Sequence, residues 1–190
     1  PHLRADTERA NRQLEEEEIS YRSSGGDDQV LIIPIVFHII HDNGPENISD
    51  EQVYSAMEVL NRDFRLLNDD VSDVVSEFED LPSDIHIEFR LAKRDPDGNC
   101  TRGINRVETS LTYQGDSQMK SLIYWPREMY MNVWVCADAG GAAGYTFLPG
   151  SVDNPWMEDE DGIVLLHDYT GDMGTSNVFR SRTLTHEVGH

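Results

Sequence analysis

The five residues His186-Glu187-Val188-Gly189-His190 have the types and spacing of a metal-hydrolase motif. On a helix the two histidines lie four residues apart on one face, so both imidazoles can bind one metal ion. Zinc accepts neutral imidazole nitrogen readily and lowers the pKa of a bound water towards neutrality. Glu187 is offset from the ligand direction, where it can hold that water and accept its proton. The pattern predicts zinc as the cofactor, His186 and His190 as its ligands, and Glu187 as the general base for attack on a peptide carbonyl.

This motif needs a helix to display it, and the preceding sequence predicts one. Residues 162–167 are nearly all apolar and indicate a buried strand, and the polar, glycine-containing residues 168–176 indicate a loop. We expect the final helix to begin between Asn177 and Arg182. A helix that follows a buried strand in this way would be held against a sheet.

The first part of the chain predicts a parallel strand pair with a crossover helix. Residues 30–40 form a β-branched run typical of a buried strand, and residues 85–91 alternate as a half-buried strand does. Ser49 and Gln52 form a capping box at the start of a helix between them. The apolar positions of this helix recur at helical spacing, at Val53, Met57, Leu60, Phe64 and Leu67. A strand, a helix and a strand in this order predict parallel pairing.

Two further strands complete the predicted sheet. Residues 131–136 indicate one, and residues 144–148, flanked by glycine and proline, indicate an edge strand. The sum is a mixed sheet with helices packed on it, an α/β architecture.

The charge balance excludes several classes of partner. Lysine and arginine total 15 against 36 aspartate and glutamate residues, a formal net charge of -21. Such a surface repels phosphate backbones and anionic lipids, so we expect neither nucleic acid nor membrane partners. No apolar stretch is long enough to cross a bilayer. Because residue 1 is proline and not methionine, we expect the natural start of the protein, with any signal peptide, to lie outside this sequence.

Residues 1–29 differ in composition from the rest. Residues 7–22 are rich in Glu, Arg and Gln, and a Ser-Ser-Gly-Gly-Asp-Asp run follows them. We interpret residues 1–29 as a solvated helix plus linker and residues 30–190 as the folded domain.

The two cysteines leave two readings open. Cys100 lies in a run of turn-forming residues and Cys136 ends a predicted strand. A Cys100–Cys136 disulfide would imply an oxidising compartment, whereas the alternative is two free thiols, one of them buried.

Beyond the motif, the sequence resembles the ulilysin-like pappalysin family of metzincin zinc metalloproteases from about Ile33 onward. The resembling pieces, in chain order, are residues 34–44, 61–64, 102–107, 131–135, 144–145, 148–150 and 182–190. These pieces in this order are far more specific than the five-residue motif alone.

The resemblance implies the upper half of a metzincin catalytic domain. That half has a twisted five-stranded sheet, with four parallel strands and one antiparallel edge strand. The edge strand matches Gly144, Tyr145, Thr146 and Phe147, and in the family it forms the rim of the cleft and pairs with the backbone of a protein or peptide substrate. The resemblance also implies endopeptidase activity, secretion, synthesis as a zymogen and, in several members, calcium sites.

One departure from the family concerns the third zinc ligand. Metzincins extend the motif to His-Glu-x-x-His-x-x-Gly-x-x-His, whereas this chain stops at the second histidine. We therefore expect the C-terminal subdomain to be absent, and this chain alone to bind zinc weakly and hydrolyse nothing. No cysteine precedes Cys100, so the inhibitory cysteine of the family's zymogens is not in residues 1–29, which we interpret as a remnant of a pro-segment.

Three further histidines and one acidic segment also have residue types that bind metals, but their positions favour structural roles. His38, His41 and His167 lie at or near strand ends and are expected to be structural. Residues 157–162 are acidic, but their register does not fit an EF-hand, so we expect a solvated loop. Two alternative functions remain: a thermolysin-like zinc hydrolase with a later Glu ligand, and a non-catalytic binding module.

Overall fold

A computed structural model describes residues 29–153 and 156–190. Its centre is one twisted sheet of six strands in the order β2-β1-β4-β6-β5, with β3 also paired to β1. The strands are β1 (Leu31–His41), β2 (Ile87–Leu91), β3 (Ile104–Glu108), β4 (Met131–Cys136), β5 (Gly144–Thr146) and β6 (Ile163–Leu166). Four helices accompany the sheet, α1 (Asp50–Phe64), α2 (Ser117–Lys120), α3 (Pro149–Val152) and α4 (Thr183–Val188).

The strand directions agree with the expected metzincin arrangement. β1 is parallel to β2, β3 and β4, and β4 is parallel to β6. β5 runs antiparallel to β6, with Tyr145 opposite Val164. The predicted edge strand and its direction are therefore confirmed, although β5 ends at Thr146 rather than at Leu148.

β3 is a strand that the sequence did not predict. β2 lies beside the first half of β1 and β3 beside the second half, from Phe37 opposite Ile104 to His41 opposite Glu108. The two short strands together occupy one position of the sheet, so six strands fill the five expected positions. Residues 104–108 are at most half-buried, and two apolar residues among them give a weak strand signal.

The long helix α1 packs on the sheet through one apolar face. Its buried apolar residues are Val53, Ala56, Met57, Val59 and Leu60. Leu67, which was predicted on this face, lies beyond the end of the helix and is 70% exposed. The backbone of Leu66 is left-handed (φ 52°), which turns the chain away from the helix axis.

The capping box at α1 is only half formed. Ser49 is the N-cap as predicted, and its hydroxyl oxygen accepts a hydrogen bond from the backbone N–H of Gln52 at 3.3 Å. The Gln52 side chain does not return to the cap. It is buried, and its amide donates to the carbonyl oxygens of His167 (2.8 Å) and Thr170 (2.9 Å). A residue expected to cap its own helix thus holds the loop that follows β6.

Alternation along the strands divides the core between the two faces of the sheet. One face carries Ile35, Phe37 and Ile39 of β1 and packs against α1 and Leu184 of α4. The other carries Ile40, Trp134 and Val164 and packs against Met119 of α2. The helix that bears the metal motif and the short helix α2 therefore lie on opposite faces.

The predicted disulfide is not formed. Cys136 is fully buried at the end of β4, where its thiol donates to the Asp138 carbonyl oxygen at 3.2 Å and burial raises its pKa to about 12. Cys100 is exposed beside Arg94, and both thiols are free. The prediction was wrong because the strand carries Cys136 into the core while the turn holds Cys100 at the surface. The cysteines thus give no support for an oxidising compartment.

Within residues 29–153 and 156–190, no helix combines the length and apolar character needed to cross a bilayer.

Candidate metal centre

The motif helix α4 is anchored to the core through one side. Leu184 is 1% exposed and belongs to the cluster formed by α1 and the sheet, and Val188 packs against the same cluster. His186 and His190 lie on the exposed side. The helix begins at Thr183, just after the predicted interval, because residues 177–182 form turns first.

The two histidines converge on one point. Their Nε2 atoms are 3.1 Å apart, and the rings meet edge to face with centroids 4.7 Å apart. Two nitrogen ligands about 2.05 Å from a tetrahedral zinc ion lie about 3.3 Å from each other. The observed separation fits two ligands of one zinc ion.

Glu187 differs from its neighbours in exposure. It is 8% exposed, although His186 and His190 on either side of it are exposed. One residue along a helix is a rotation of about 100°, so its carboxylate leaves the helix beside the imidazole pair and not between the two rings. This arrangement suits a carboxylate that accepts a proton from water, and not one that serves as a metal ligand.

Asp63 of α1 fastens the start of the motif helix. The Thr185 hydroxyl donates to Asp63 Oδ2 at 2.8 Å, and Arg182 Nη2 lies 3.2 Å from Oδ1. Arg182 also donates to Asp70 Oδ1 at 2.6 Å and holds the pKa of that carboxyl below its usual range. Residues 61–64 belong to the pieces that resemble the family, but the sequence alone indicates no role for Asp63.

The predicted substrate strand lies directly against α4. A Cβ on Gly144 would be 2.9 Å from the Val164 carbonyl oxygen, which is a backbone atom, and 3.2 Å from Thr183 Cγ2, so glycine suits this close approach. Tyr145 and Thr146 complete β5, whereas Phe147 follows the end of the strand. The structure therefore places the edge strand beside the helix that carries His186, and the contact between them is made at Gly144.

Three of the other histidines, His38, His41 and His167, have structural partners. His38 is fully buried, with Nε2 2.9 Å from Asn132 Oδ1, and burial lowers its pKa to about 4. The backbone N–H of Asn43 donates to His41 Nδ1 at 3.3 Å, and His167 Nδ1 lies 3.1 Å from Thr175 Oγ1. These contacts agree with the structural roles predicted for the three side chains.

No third ligand joins His186 and His190 in the described part of the chain. Residues 29–153 and 156–190 contain no group of three or more His, Cys, Asp or Glu side chains placed to hold a metal ion. The acidic segment 157–162 is also less solvated than expected. Glu160 is 6% exposed, and its carboxylate pairs with the buried Lys120 at 3.3 Å.

Comparison with solved structures gives strong matches to mirolysin, a pappalysin-family metzincin. Mirolysin in complex with a small compound is 36% identical with a TM-score of 0.77, and mature mirolysin from Tannerella forsythia in complex with a cleaved peptide is 35% identical with the same TM-score. Each match covers 86% of this chain and 63% of the mirolysin chain.

A promirolysin mutant from the same organism is 32% identical with a TM-score of 0.76, and the match covers 96% of this chain and 64% of that one. This chain thus spans slightly less than two thirds of the length of each protein. No family model matches the chain, and no curated protein matches it.

Proposed function

We propose that this chain, which resembles pappalysin-family metzincins such as mirolysin over most of its length, forms the upper half of the active site of a zinc-dependent endopeptidase. The observation that carries the proposal is the 3.1 Å separation of the His186 and His190 Nε2 atoms, on a helix packed against the edge strand β5. A peptide complex is known for mature mirolysin, which supports a protein or peptide as the substrate.

Each residue of the site has a distinct role in this proposal. His186 and His190 hold zinc, which when bound supplies Lewis acidity towards a peptide carbonyl. Glu187 holds a water molecule and accepts its proton as the water attacks. The open edge of β5 pairs with the extended backbone of the substrate and presents the scissile bond to Glu187.

The proposal also requires a further zinc ligand. Two histidines leave the ion under-coordinated, because catalytic zinc sites use three protein ligands and keep one position open. The described residues offer no third side chain, so activity belongs to a protein in which another residue completes the coordination. The chain by itself is expected to bind zinc weakly and to cleave nothing.

We also propose that residues 1–29 belong to a pro-segment and that the protein is a secreted zymogen. Residues 29–190 make up about 85% of the chain, so a match over 96% includes most of residues 1–28. That wider match is to promirolysin, whereas the match to mature mirolysin covers 86%. The difference supports the pro-segment interpretation.

The test compares zinc content and proteolysis in a zinc-loaded form that includes all ligands. Glu187→Gln is expected to keep its zinc and to lower kcat at least about a hundredfold, since it removes a general base without removing a ligand. His186→Ala is expected to lose the zinc as well. A Glu187→Gln protein with wild-type kcat would contradict the proposed mechanism. A wild-type protein that binds no zinc would leave the binding module as the better reading.

A further inference from the structure

The chain uses lysine only twice, against thirteen arginines, and the two lysines differ completely in environment. Lys93 is exposed, whereas Lys120 at the end of α2 is 0% exposed. Burying an ammonium group is costly unless it is paired. The contacts of Lys120 therefore identify the groups that stabilise its buried charge and the segments that the charge holds together.

The Lys120 ammonium is bound by one acidic residue and three aromatic rings. It donates to the Glu160 carbonyl oxygen at 2.8 Å and lies 3.3 Å from the Glu160 carboxylate. Its Nζ atom is 4.9 Å from the ring centroids of both Tyr145 and Phe147, and 5.3 Å from that of Trp134. These distances are within the range of cation–π attraction. Burial lowers the pKa of Lys120, and the neighbouring Glu160 carboxylate opposes that shift.

These contacts tie together the two ends of the connection between β5 and β6. Tyr145 lies in β5 and Phe147 follows it, whereas Glu160 comes shortly before β6 begins. The Tyr145 hydroxyl also donates to the Gly115 carbonyl oxygen at 2.7 Å, in the turn before α2. Alternation places the Tyr145 ring on the opposite face of the strand from Gly144, which packs against α4. Lys120 thus contacts the edge strand from the side away from the metal motif.

We propose that Lys120 is a positioning residue for substrate binding, because it holds β5 in the place where an extended peptide backbone would pair with it. This role rests on the proposed function, since it assumes that β5 is the substrate strand. The holding contact itself can be measured without any cleavage assay. The two tests below can therefore fail separately.

The first test measures amide hydrogen exchange in the zinc-loaded protein. Lys120→Met keeps a linear side chain but removes the charge, and we expect the amides of residues 144–147 to exchange on the order of tenfold faster while β1 is unchanged. Lys93→Met is the matched control and is expected to change neither. Phe147→Leu removes one ring from a partly exposed position, so it tests the same contact without emptying the core, and a smaller acceleration is expected.

Three exchange results would overturn the positioning role. The first is unchanged exchange of β5 in both Lys120→Met and Phe147→Leu. The second is equal acceleration in β1 and β5, which would mean general destabilisation. The third concerns Glu160, whose charge is left unpaired in the single variant. If Lys120→Met/Glu160→Gln restores slow exchange, then the lysine only neutralises Glu160.

The second test separates KM from kcat for a peptide long enough to pair with β5. Lys120→Met is expected to raise KM about tenfold and to keep kcat within about twofold, because the strand binds the peptide but does not touch the reacting atoms. An unchanged KM with faster exchange of β5 would refute the link to substrate. If the wild-type protein cleaves no peptide, the proposed function fails, and the exchange data still decide whether Lys120 holds β5.

Discussion

Replacement of the buried His38 by glutamine is expected to flatten the pH dependence of stability. The His38 ring is fully buried, with Nε2 2.9 Å from Asn132 Oδ1 and Nδ1 3.2 Å from Asn105 Nδ2. The Asn132 amide is oriented by Trp125, whose backbone N–H donates to Oδ1 at 2.8 Å and whose carbonyl accepts from Nδ2 at 2.8 Å. An oxygen therefore faces Nε2 and an amide donor faces Nδ1, so the neutral ring protonated at Nε2 satisfies both neighbours. A second proton on Nδ1 would point at a donor.

The size of the effect follows from the pKa of His38. Burial lowers this pKa from 6.5 to about 4, whereas the unfolded chain keeps the ordinary value. Between these two values the unfolded state binds more protons, so the free energy of unfolding falls as the pH falls. The contribution is fully present above pH 6.5 and is lost towards pH 4, with a total of about 3 kcal/mol. About 2 kcal/mol of it is lost by pH 5.

The assay is denaturant unfolding of the wild-type protein and the His38→Gln variant between pH 7.5 and pH 5. The variant cannot be protonated, so the difference between the two proteins is expected to shrink by about 2 kcal/mol over this range. Taking the difference cancels the contribution of carboxyls such as Asp70, whose pKa is lowered by hydrogen bonding to Arg182. Parallel curves, or a signal assigned to the His38 imidazole that titrates near pH 6.5 in the folded protein, would refute the reasoning.

Three further substitutions test the supports of the site. Asp63→Asn weakens the hydrogen bond that anchors the motif helix at Thr185, so we expect zinc affinity, measured by competition with a chelator, to fall about tenfold. A variant with wild-type zinc affinity would rule out that anchor. Gly144→Ala places a Cβ 2.9 Å from the Val164 carbonyl oxygen, and we expect a loss of about 1–3 kcal/mol in unfolding free energy and faster exchange of β5. No loss would show that the strand can shift. Gln52→Leu removes the donor of the 2.8 and 2.9 Å hydrogen bonds to the loop after β6. We expect the free energy of unfolding, measured with denaturant, to fall by about 2 kcal/mol. An unchanged free energy would mean that water replaces the side chain.

Features that repeat along the chain were predictable from the sequence. The β-branched apolar run of β1, the alternation in β2, the helical spacing in α1 and the cap at Ser49 are each a local signal contained in a few residues. The family likeness added the parallel direction of four strands and the antiparallel edge strand. The four-residue spacing of His186 and His190 predicted a shared face, and the structure brings their Nε2 atoms to 3.1 Å.

Contacts between distant polar residues were not predictable in this way. Thr185 and Asp63 are 122 residues apart, and Lys120 and Glu160 are 40 apart, and neither pair leaves a periodic signal. The acidic segment 157–162 has a solvated composition, so nothing in it marked Glu160 as buried. The predicted cysteine pair failed for a related reason, because two residues of matching chemistry carry no information about the distance between them.

The unequal exposure of the two cysteines also has a practical consequence. Cys136 is shielded by the sheet, and its raised pKa of about 12 leaves almost no reactive thiolate near neutral pH. Cys100 is exposed on the segment between β2 and β3, which the sheet order separates from β5 by three strands. A maleimide dye should therefore attach to the described part of the chain at Cys100 alone. A fluorophore there would label the chain without engineered cysteines, at a place that leaves the edge strand uncovered.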